Sequence, residues 1–342
     1  KTKAMIFYTS GSTGDPKGVS ISYLNFIKCL EYQIKYLKYR NNREIFSDYH
    51  DTTFVMSLVI IFPVIYKNCS LSPITQFSDK IFPSNHIKKN KISVLITVPS
   101  FILYLDKEVK KTKIKVKNLI LCGENFPLSI FKIVKKRFVI KNLFNCYGST
   151  EMSPWAFCFE YKKKYDELIK KMGQVPIGAP FKGVKAHINK NKELLVNGDI
   201  ITDGYIKDKK LNSKKFIKIR KRRYYKTGDV AQKINKFYFC KGRVDSQVKI
   251  RGYRVDTTEV ESHVKKIKDI KFSFCFLNEK KSEKFLTLIC VTNNNKITLN
   301  HLNNYLKNKV PSYMIPKDIK IMKKIKFNKN GKIDRNYYRS IS

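Results

Sequence analysis

Two short stretches of this chain carry side chains and spacings suited to chemistry. The first is Tyr8-Thr9-Ser10-Gly11-Ser12-Thr13-Gly14-Asp15-Pro16-Lys17-Gly18. Glycines let a backbone approach an anion closely, hydroxyls and amides donate hydrogen bonds, and Lys17 adds positive charge. The chemistry on offer is phosphate binding. The spacing is neither GxxxxGK[ST] nor GxGxxG, because Lys17 comes six residues after Gly11 and is itself followed by glycine. The second stretch is Asn145-Cys146-Tyr147-Gly148-Ser149-Thr150-Glu151. Tyr147 offers an aromatic face to a base, Thr150 a hydroxyl to a phosphate and Glu151 a hard oxygen to a hard cation. No Ser/His/Asp arrangement supplies a side-chain nucleophile.

These stretches need elements to position them. Ala4-Met5-Ile6-Phe7, ahead of the glycine loop, reads as a short buried strand, and Val19 to Ile34 behind it has helical spacing. Lys91 to Pro99 reads as a buried strand ended by proline. Another strand at Asn118 to Leu121 runs into the turn Cys122-Gly123-Glu124, and Ile140 to Phe144 is the strand that delivers Asn145. From Gly173 to Tyr205 the text changes to short strands and turns, as in a β-barrel-like piece. The basic run Lys218 to Arg223 reads as an exposed hairpin. Beyond Gly242 strands and helices alternate, with strands at Phe272 to Phe276 and Phe285 to Val291 and a helix near Leu299 to Lys309. Asp256 to Glu261 opens a helix with acids in its first turn, where the macrodipole favours them. Asn330-Gly331 is a turn that presents Lys332 at a loop tip.

At 342 residues and 42% hydrophobic content the chain can bury a core and is expected to form two domains. Phe54 to Tyr66, its longest apolar stretch, falls short of the ~18–20 residues of a membrane span. No signal peptide is visible, so the expectation is a cytoplasmic protein with no membrane partner. The formal charge of +43 invites a nucleic-acid reading. Lysines are scattered through every segment, however, and far outnumber arginines. The chain is also rich in Asn, Ile, Phe and Tyr, all residues of A/T-rich codons. Composition accounts for the basicity, and no specific nucleic-acid partner is expected. None of the eight cysteines forms a C-x-x-C pair and the five histidines lack metal-ligand spacing, so buried thiols and structural histidines are expected.

Taken in order, these stretches resemble the adenylate-forming, or AMP-binding, enzymes: acyl-CoA synthetases, D-alanine–carrier-protein ligases and the adenylation domains of nonribosomal peptide synthetases. The glycine loop resembles the family's phosphate loop, and Asn145 to Glu151 its Asn-x-Tyr-Gly-x-Thr-Glu motif. Tyr225-Lys226-Thr227-Gly228-Asp229, the run Gly242 to Val255, Val310-Pro311-Ser312-Tyr313-Met314-Ile315-Pro316 and Asn328 to Arg335 resemble further signatures in the family's order. The resemblance implies an α/β fold. Its large AMP-binding domain, of mixed α/β sheets, covers 1–244 and includes a β-barrel-like subdomain at 173–244. A hinge at Asp245 leads to a small mobile α+β domain at 246–342. It also implies that the large domain is N-terminally incomplete, because the family's segment ahead of the phosphate loop is missing. The start at Lys1-Thr2-Lys3 is then that of a fragment or processed form, with an uncovered sheet edge.

The resemblance assigns roles. Thr9, Ser10, Gly11, Ser12, Thr13, Gly14 and Lys17 would hold the phosphates of ATP, and Asn145, Tyr147 and Gly148 the nucleotide, with Tyr147 stacked on adenine. Thr150 would bond the α-phosphate and Glu151 would hold Mg²⁺. Asp229 would accept from the ribose hydroxyls, and Arg243 would reach ribose or phosphates. Lys332 would enter the site for adenylation. Val55, Cys122, Gly123 and Cys146 would line the acid pocket, with the Cys-Gly-Glu turn favouring the amino-acid branch. Gly252 and Arg254 would face the pantetheine arm.

The implied reaction joins a small carboxylic acid to AMP and passes the acyl group to a carrier protein's phosphopantetheine. Free CoA is the alternative acceptor, and a degenerate nucleotide-binding protein the alternative to turnover. In the family's Phe-Asp-x-Ser element the aspartate pairs with the substrate's ammonium, whereas this chain has Phe54-Val55-Met56-Ser57. Three alternatives remain: a substrate without an α-amino group, another acid such as Asp51 in its place, or a decayed pocket.

Overall fold

The computed structural model describes residues 2–9, 16–109, 112–245, 247–280, 283–324, 326, 337, 338 and 341. The chain divides into two compact units, one of Lys1–Thr9 and Lys17–Val244 and one that takes in Asp245–Ser342.

The chain opens as a hairpin, not as strand–loop–helix. β1 (Lys3–Thr9) runs antiparallel to β2 (Lys17–Ser22), with Thr9 opposite Lys17. β1 is an edge strand, so it is not the buried strand expected: Ile6 is 47% and Tyr8 68% exposed. Val19 and Ile21 alternate inward from β2, and helix α1 (Tyr23–Tyr36) begins only after them. Its start is set by a capping box, in which Ser22 accepts from the Asn25 amide and the Asn25 side chain accepts from the Ser22 amide.

The central sheet follows. Its strands are β3 (Ile45–Asp48), β4 (Ser70–Pro73), β5 (Val94–Thr97), β6 (Ile114–Cys122), β7 (Phe138–Tyr147), β8 (Phe157–Glu160) and β9 (Ala179–Pro180), in the order β4-β3-β5-β6-β7-β8-β9. The first five in that order are parallel and the last two antiparallel. Parallel strands are covered on both faces and read as unbroken apolar runs, as β5 does. On one face Phe46, Val94, Ile96, Ile120, Cys122, Phe144 and Cys146 pack with Val59 and Ile60 of helix α2 (Leu58–Tyr66). On the other, Leu95, Leu119, Leu121 and Leu143 pack with the helices Pro99–Glu108 and Leu128–Arg137.

A second, antiparallel sheet is built from β10 (Lys185–Ile188), β11 (Glu193–Asn197), β13 (Phe216–Ile219), β14 (Arg222–Ile234) and β15 (Phe237–Arg243). The short β12 (Gly204–Tyr205) pairs with β2 instead. This is the half-barrel anticipated from the short-strand text. The 13 residues of β14 let it pair with β13 along its first half and β15 along its second. The basic run 218–223 is the β13–β14 turn, with Arg220 and Lys221 at φ +45° and +64°. Lys192, in the β10–β11 turn, has a left-handed backbone at φ +60°.

The second unit has its own core. β16 (Gln247–Ile250) and β17 (Tyr253–Asp256) form a hairpin. The helix Thr257–Val264 is capped by Asp256, which accepts from the Thr258 amide at 3.1 Å. β18 (Phe272–Lys280), β19 (Glu283–Val291) and β20 (Asp318–Met322) form a sheet whose Leu288 and Cys290 pack with Val260, Leu302 and Leu306. No helix among the described residues is long and apolar enough to cross a membrane.

Candidate active site

Open α/β sheets bind ligands beyond the carboxyl ends of their parallel strands. β7 ends there on Asn145, Cys146 and Tyr147, all buried. Asn145 donates to the Pro176 carbonyl at 2.9 Å, which fixes the strand's exit. The Tyr147 hydroxyl donates to Asp229 Oδ2 at 2.5 Å, and Arg243 Nη1 donates to Asp229 Oδ1 at 2.6 Å. Asp229 and Arg243 face each other across β14 and β15. Arg243 Nη2 also reaches the Thr227 carbonyl at 3.2 Å, and the Thr227 hydroxyl accepts from the Asp229 amide at 3.0 Å. Burial, and then the charge of Asp229, push the Tyr147 phenol far above its ordinary range, so it stays a donor. Three residues far apart in sequence thus meet. A carboxylate has about four lone-pair sites, so Asp229 keeps acceptor capacity for further hydroxyls.

Gly148 is required by its surroundings, because a Cβ there would lie 1.8 Å from the Pro154 carbonyl oxygen. That close approach turns the chain into the short 3₁₀ turn Thr150–Met152. Glu151 is fully buried; its Oε1 accepts from the Tyr205 hydroxyl at 2.5 Å, and its carbonyl accepts from the Thr202 amide at 3.0 Å. No cluster of three or more His, Cys, Asp or Glu side chains is present among the described residues. A lone hard carboxylate suits Mg²⁺, which takes one or two protein oxygens and completes its shell with phosphates and water. Tyr205 is a partner that the sequence reading missed, since its Gly-Tyr pair carries no motif.

At the glycine loop, β1 and β2 hold both ends in register, and the Thr9 hydroxyl donates to the Lys17 carbonyl at 3.4 Å. Ser10, Gly11, Ser12, Thr13, Gly14 and, near the other terminus, Lys332 lie outside the described residues. Of the expected acid pocket, Cys122 and Cys146 sit opposite each other on β6 and β7. Cys122 Sγ reaches the Thr97 carbonyl at 3.7 Å, and Gly123 turns away at φ +81°. Cys146 Sγ lies 3.7 Å from Cys158 Sγ, and burial pushes its thiol well up, so it is inert. Val55 is not in that cluster: it packs with Ile21 and Leu58. Asp51 is exposed, and its carboxylate accepts from the Thr53 amide and hydroxyl at 2.9 and 2.8 Å in a local turn. In the second unit, Asp245 accepts from the Gln247 amide at 3.3 Å. Gly252 makes the β16–β17 turn at φ +84°, and Arg254 Nε donates to Gln247 Oε1 at 2.8 Å.

Two further residues at the end of β3 were not singled out from the sequence. The Oδ1 of Asp48 and the Nε2 of His50 are closed off from solvent without a hydrogen-bond partner. Burial raises the Asp48 carboxyl, opposed by the His50 amide, and brings the His50 ring down to about 4, opposed by the Ile96 carbonyl. Their only trace in the text is the polar string Asp48-Tyr49-His50-Asp51 at a strand end.

A sequence model of the AMP-binding enzyme family matches residues 1–206. The D-alanine–D-alanyl carrier protein ligase of Staphylococcus aureus (strain JH9) is 27% identical over 340 residues, covering 96% of this chain and 69% of the ligase. Among solved structures, the Vibrio cholerae adenylation domain AlmE, in complex with glycyl-adenosine-5'-phosphate, superposes with a TM-score of 0.86 at 21% identity, covering 99% of this chain and 66% of that one. The o-succinylbenzoate CoA synthetase of Bacillus subtilis superposes with a TM-score of 0.83 at 19% identity, covering 99% and 70%. These two share the fold. The chain spans about two thirds of the length of the relatives it matches.

Two outcomes are expected. Asp229→Ala removes the carboxylate to which the Arg243 guanidinium and the buried Tyr147 phenol both donate, and should lower unfolding free energy in urea by about 3 kcal/mol. Tyr147→Phe should cost about 1 kcal/mol; equal losses would mean that the arginine pairing contributes nothing. For His50, the folded ring titrates at about 4 and the unfolded ring at about 6.5, so only the unfolded chain takes up this proton between those values. Stability is therefore held above that window and falls as pH drops through it. His50→Phe should flatten the urea-measured fall between about pH 6.5 and 4.5 by roughly 2 kcal/mol.

Proposed function

The chain belongs to the AMP-binding enzymes, the adenylate-forming ligases, and on that premise we propose that it activates a small carboxylic acid with ATP and transfers the acyl group to a carrier protein's phosphopantetheine. The observation that carries this reading is the convergence of Tyr147, Asp229 and Arg243 with Thr150 and Glu151 close behind in the chain. An aromatic ring, a carboxylate with acceptor capacity and a guanidinium suit adenine, ribose and phosphate respectively.

In the first step a carboxylate oxygen attacks the α-phosphorus, a phosphorus–oxygen bond forms, and the bond to pyrophosphate breaks. Both reactants are anions, so bringing them together is the main barrier. Lys17, the loop hydroxyls, Thr150 and Lys332 lower it by offering cations and donors where charge gathers. Mg²⁺, when held by Glu151 beside the phosphates, adds further screening of that repulsion. In the second step a thiol sulfur attacks the acyl carbon, its proton goes to solvent, and AMP leaves. Residues after Asp245 act as a mobile small domain that withdraws Lys332 and brings Gly252 and Arg254 to the pantetheine arm. Cys122, Gly123 and Cys146 line the acid pocket. The carrier-protein acceptor is supported by the 27%-identical D-alanine–D-alanyl carrier protein ligase of Staphylococcus aureus. Dependence on ATP fits work in the cytoplasm.

Pyrophosphate exchange over a panel of amino, keto, hydroxy and aryl acids tests the reading. At least one acid should support exchange, and silence from a folded, ATP-binding protein would refute it. Lys332→Ala should lower exchange about 10²–10³-fold while a supplied acyl adenylate is still transferred to thiol; loss of both steps alike would remove the role assigned to Lys332.

A further inference from the structure

An amino-acid substrate would bring an ammonium group into this site, and the two positions considered for its counter-charge do not meet it. Position 55 is a valine packed with Ile21 and Leu58, and Asp51 is exposed and bound to Thr53. A buried ammonium without an acceptor is strongly disfavoured. The end of β3 supplies two acceptors instead. Phe46 is level with Val94 in the parallel pairing, which puts Asp48 level with Ile96, and Ile96 is level with Ile120. Side chains two apart share a face, so Asp48 lies on the face of Phe46, the one that also carries Ile96, Cys122 and Cys146. His50 follows by two more residues; its ring stands 6.4 Å from that of Phe54, and the Ile96 carbonyl opposes the lowering of its pKa.

Asp48 Oδ1 and His50 Nε2 are both closed off from solvent and have no hydrogen-bond partner among the described residues. With the ring proton on the nitrogen towards Ile96, Nε2 presents a lone pair. Two acceptor atoms two residues apart in the chain, each unpartnered among the described residues, suit a ligand that donates from one centre. An ammonium group has three donors and a charge that matches the carboxylate. We propose that Asp48 Oδ1 and His50 Nε2 form the subsite for the substrate's ammonium, so that the chain activates an amino acid although residue 55 is valine. This rests on the ligase reading above and narrows its substrate class.

The test is kcat/KM in pyrophosphate exchange for glycine, D-alanine and L-alanine against acetate and propionate. The unsubstituted chain should favour an amino acid over its deamino counterpart by about a hundredfold or more, through charge-assisted hydrogen bonds that the counterpart lacks. Asp48→Asn should narrow that ratio about thirtyfold and His50→Phe, which keeps the ring beside Phe54, about tenfold, with KM for ATP unmoved. Equal kcat/KM for D- or L-alanine and propionate in the unsubstituted chain would overturn the assignment, and so would variants that melt normally with the ratio intact. If Asp48→Asn fails to fold, the unsubstituted preference and His50→Phe decide. Exchange with acetate or propionate alone sinks this subsite and leaves the ligase reading standing. Silence with every acid, despite ATP binding, sinks both.

Discussion

The carboxylate of Asp229 ties the end of the central sheet to the half-barrel. One oxygen takes the Tyr147 hydroxyl from the end of the central sheet, and the other takes the Arg243 guanidinium from the half-barrel. Only 9% of Asp229 is exposed, so these are charge-assisted bonds in a poorly solvated place, where leaving either partner unmatched is costly. The register of β14 on β15 puts Asp229 opposite Arg243, and the half-barrel is therefore built around the same pair that the nucleotide would use. Fold and site share one interaction.

Around it, charge is distributed with purpose. The cluster on the Phe46 face of the central sheet is apolar and rich in sulfur, with Met56, Cys122, Cys146 and Met152 all buried. Thiols whose ionisation is suppressed by burial act there as small hydrophobes, not as nucleophiles. Against that background a few polar groups can dictate which ligand is accepted. Glu151 is held by Tyr205, and Asp48 and His50 wait at the end of β3. The overall charge of +43 says little about this, since it is spread over surface lysines and the site depends on buried carboxylates.

The glycine loop illustrates how topology prepares an element that is itself made of permissive residues. Its ends are paired strands, Thr9 against Lys17, so the intervening segment is anchored at both sides. A strand followed by a helix would have pinned only one end. The hairpin also explains why β1 is not buried: it is the edge of a three-stranded sheet and needs only one covered face.

Much of the α/β framework was legible in the text. Continuous apolar runs such as Val94–Thr97 announce buried strands because both faces are covered, and the Tyr147-to-Glu151 string shows an aromatic face, a hydroxyl and a carboxylate by residue type. The acids of Asp256 to Glu261 mark a helix start that the structure places at Thr257, whereas the helical spacing of Val19 to Ile34 runs across the capping box at Ser22. Tertiary structure decided what those rules cannot reach. That Val55 packs with Ile21, that Asp51 is spent on Thr53, and that Asp48 Oδ1 and His50 Nε2 are closed off from solvent with no partner among the described residues depend on strand register and on which face each side chain takes. Residue types determine what chemistry a chain can perform. Long-range pairing determines which of its polar groups are left unsatisfied, and so which ligand it can hold.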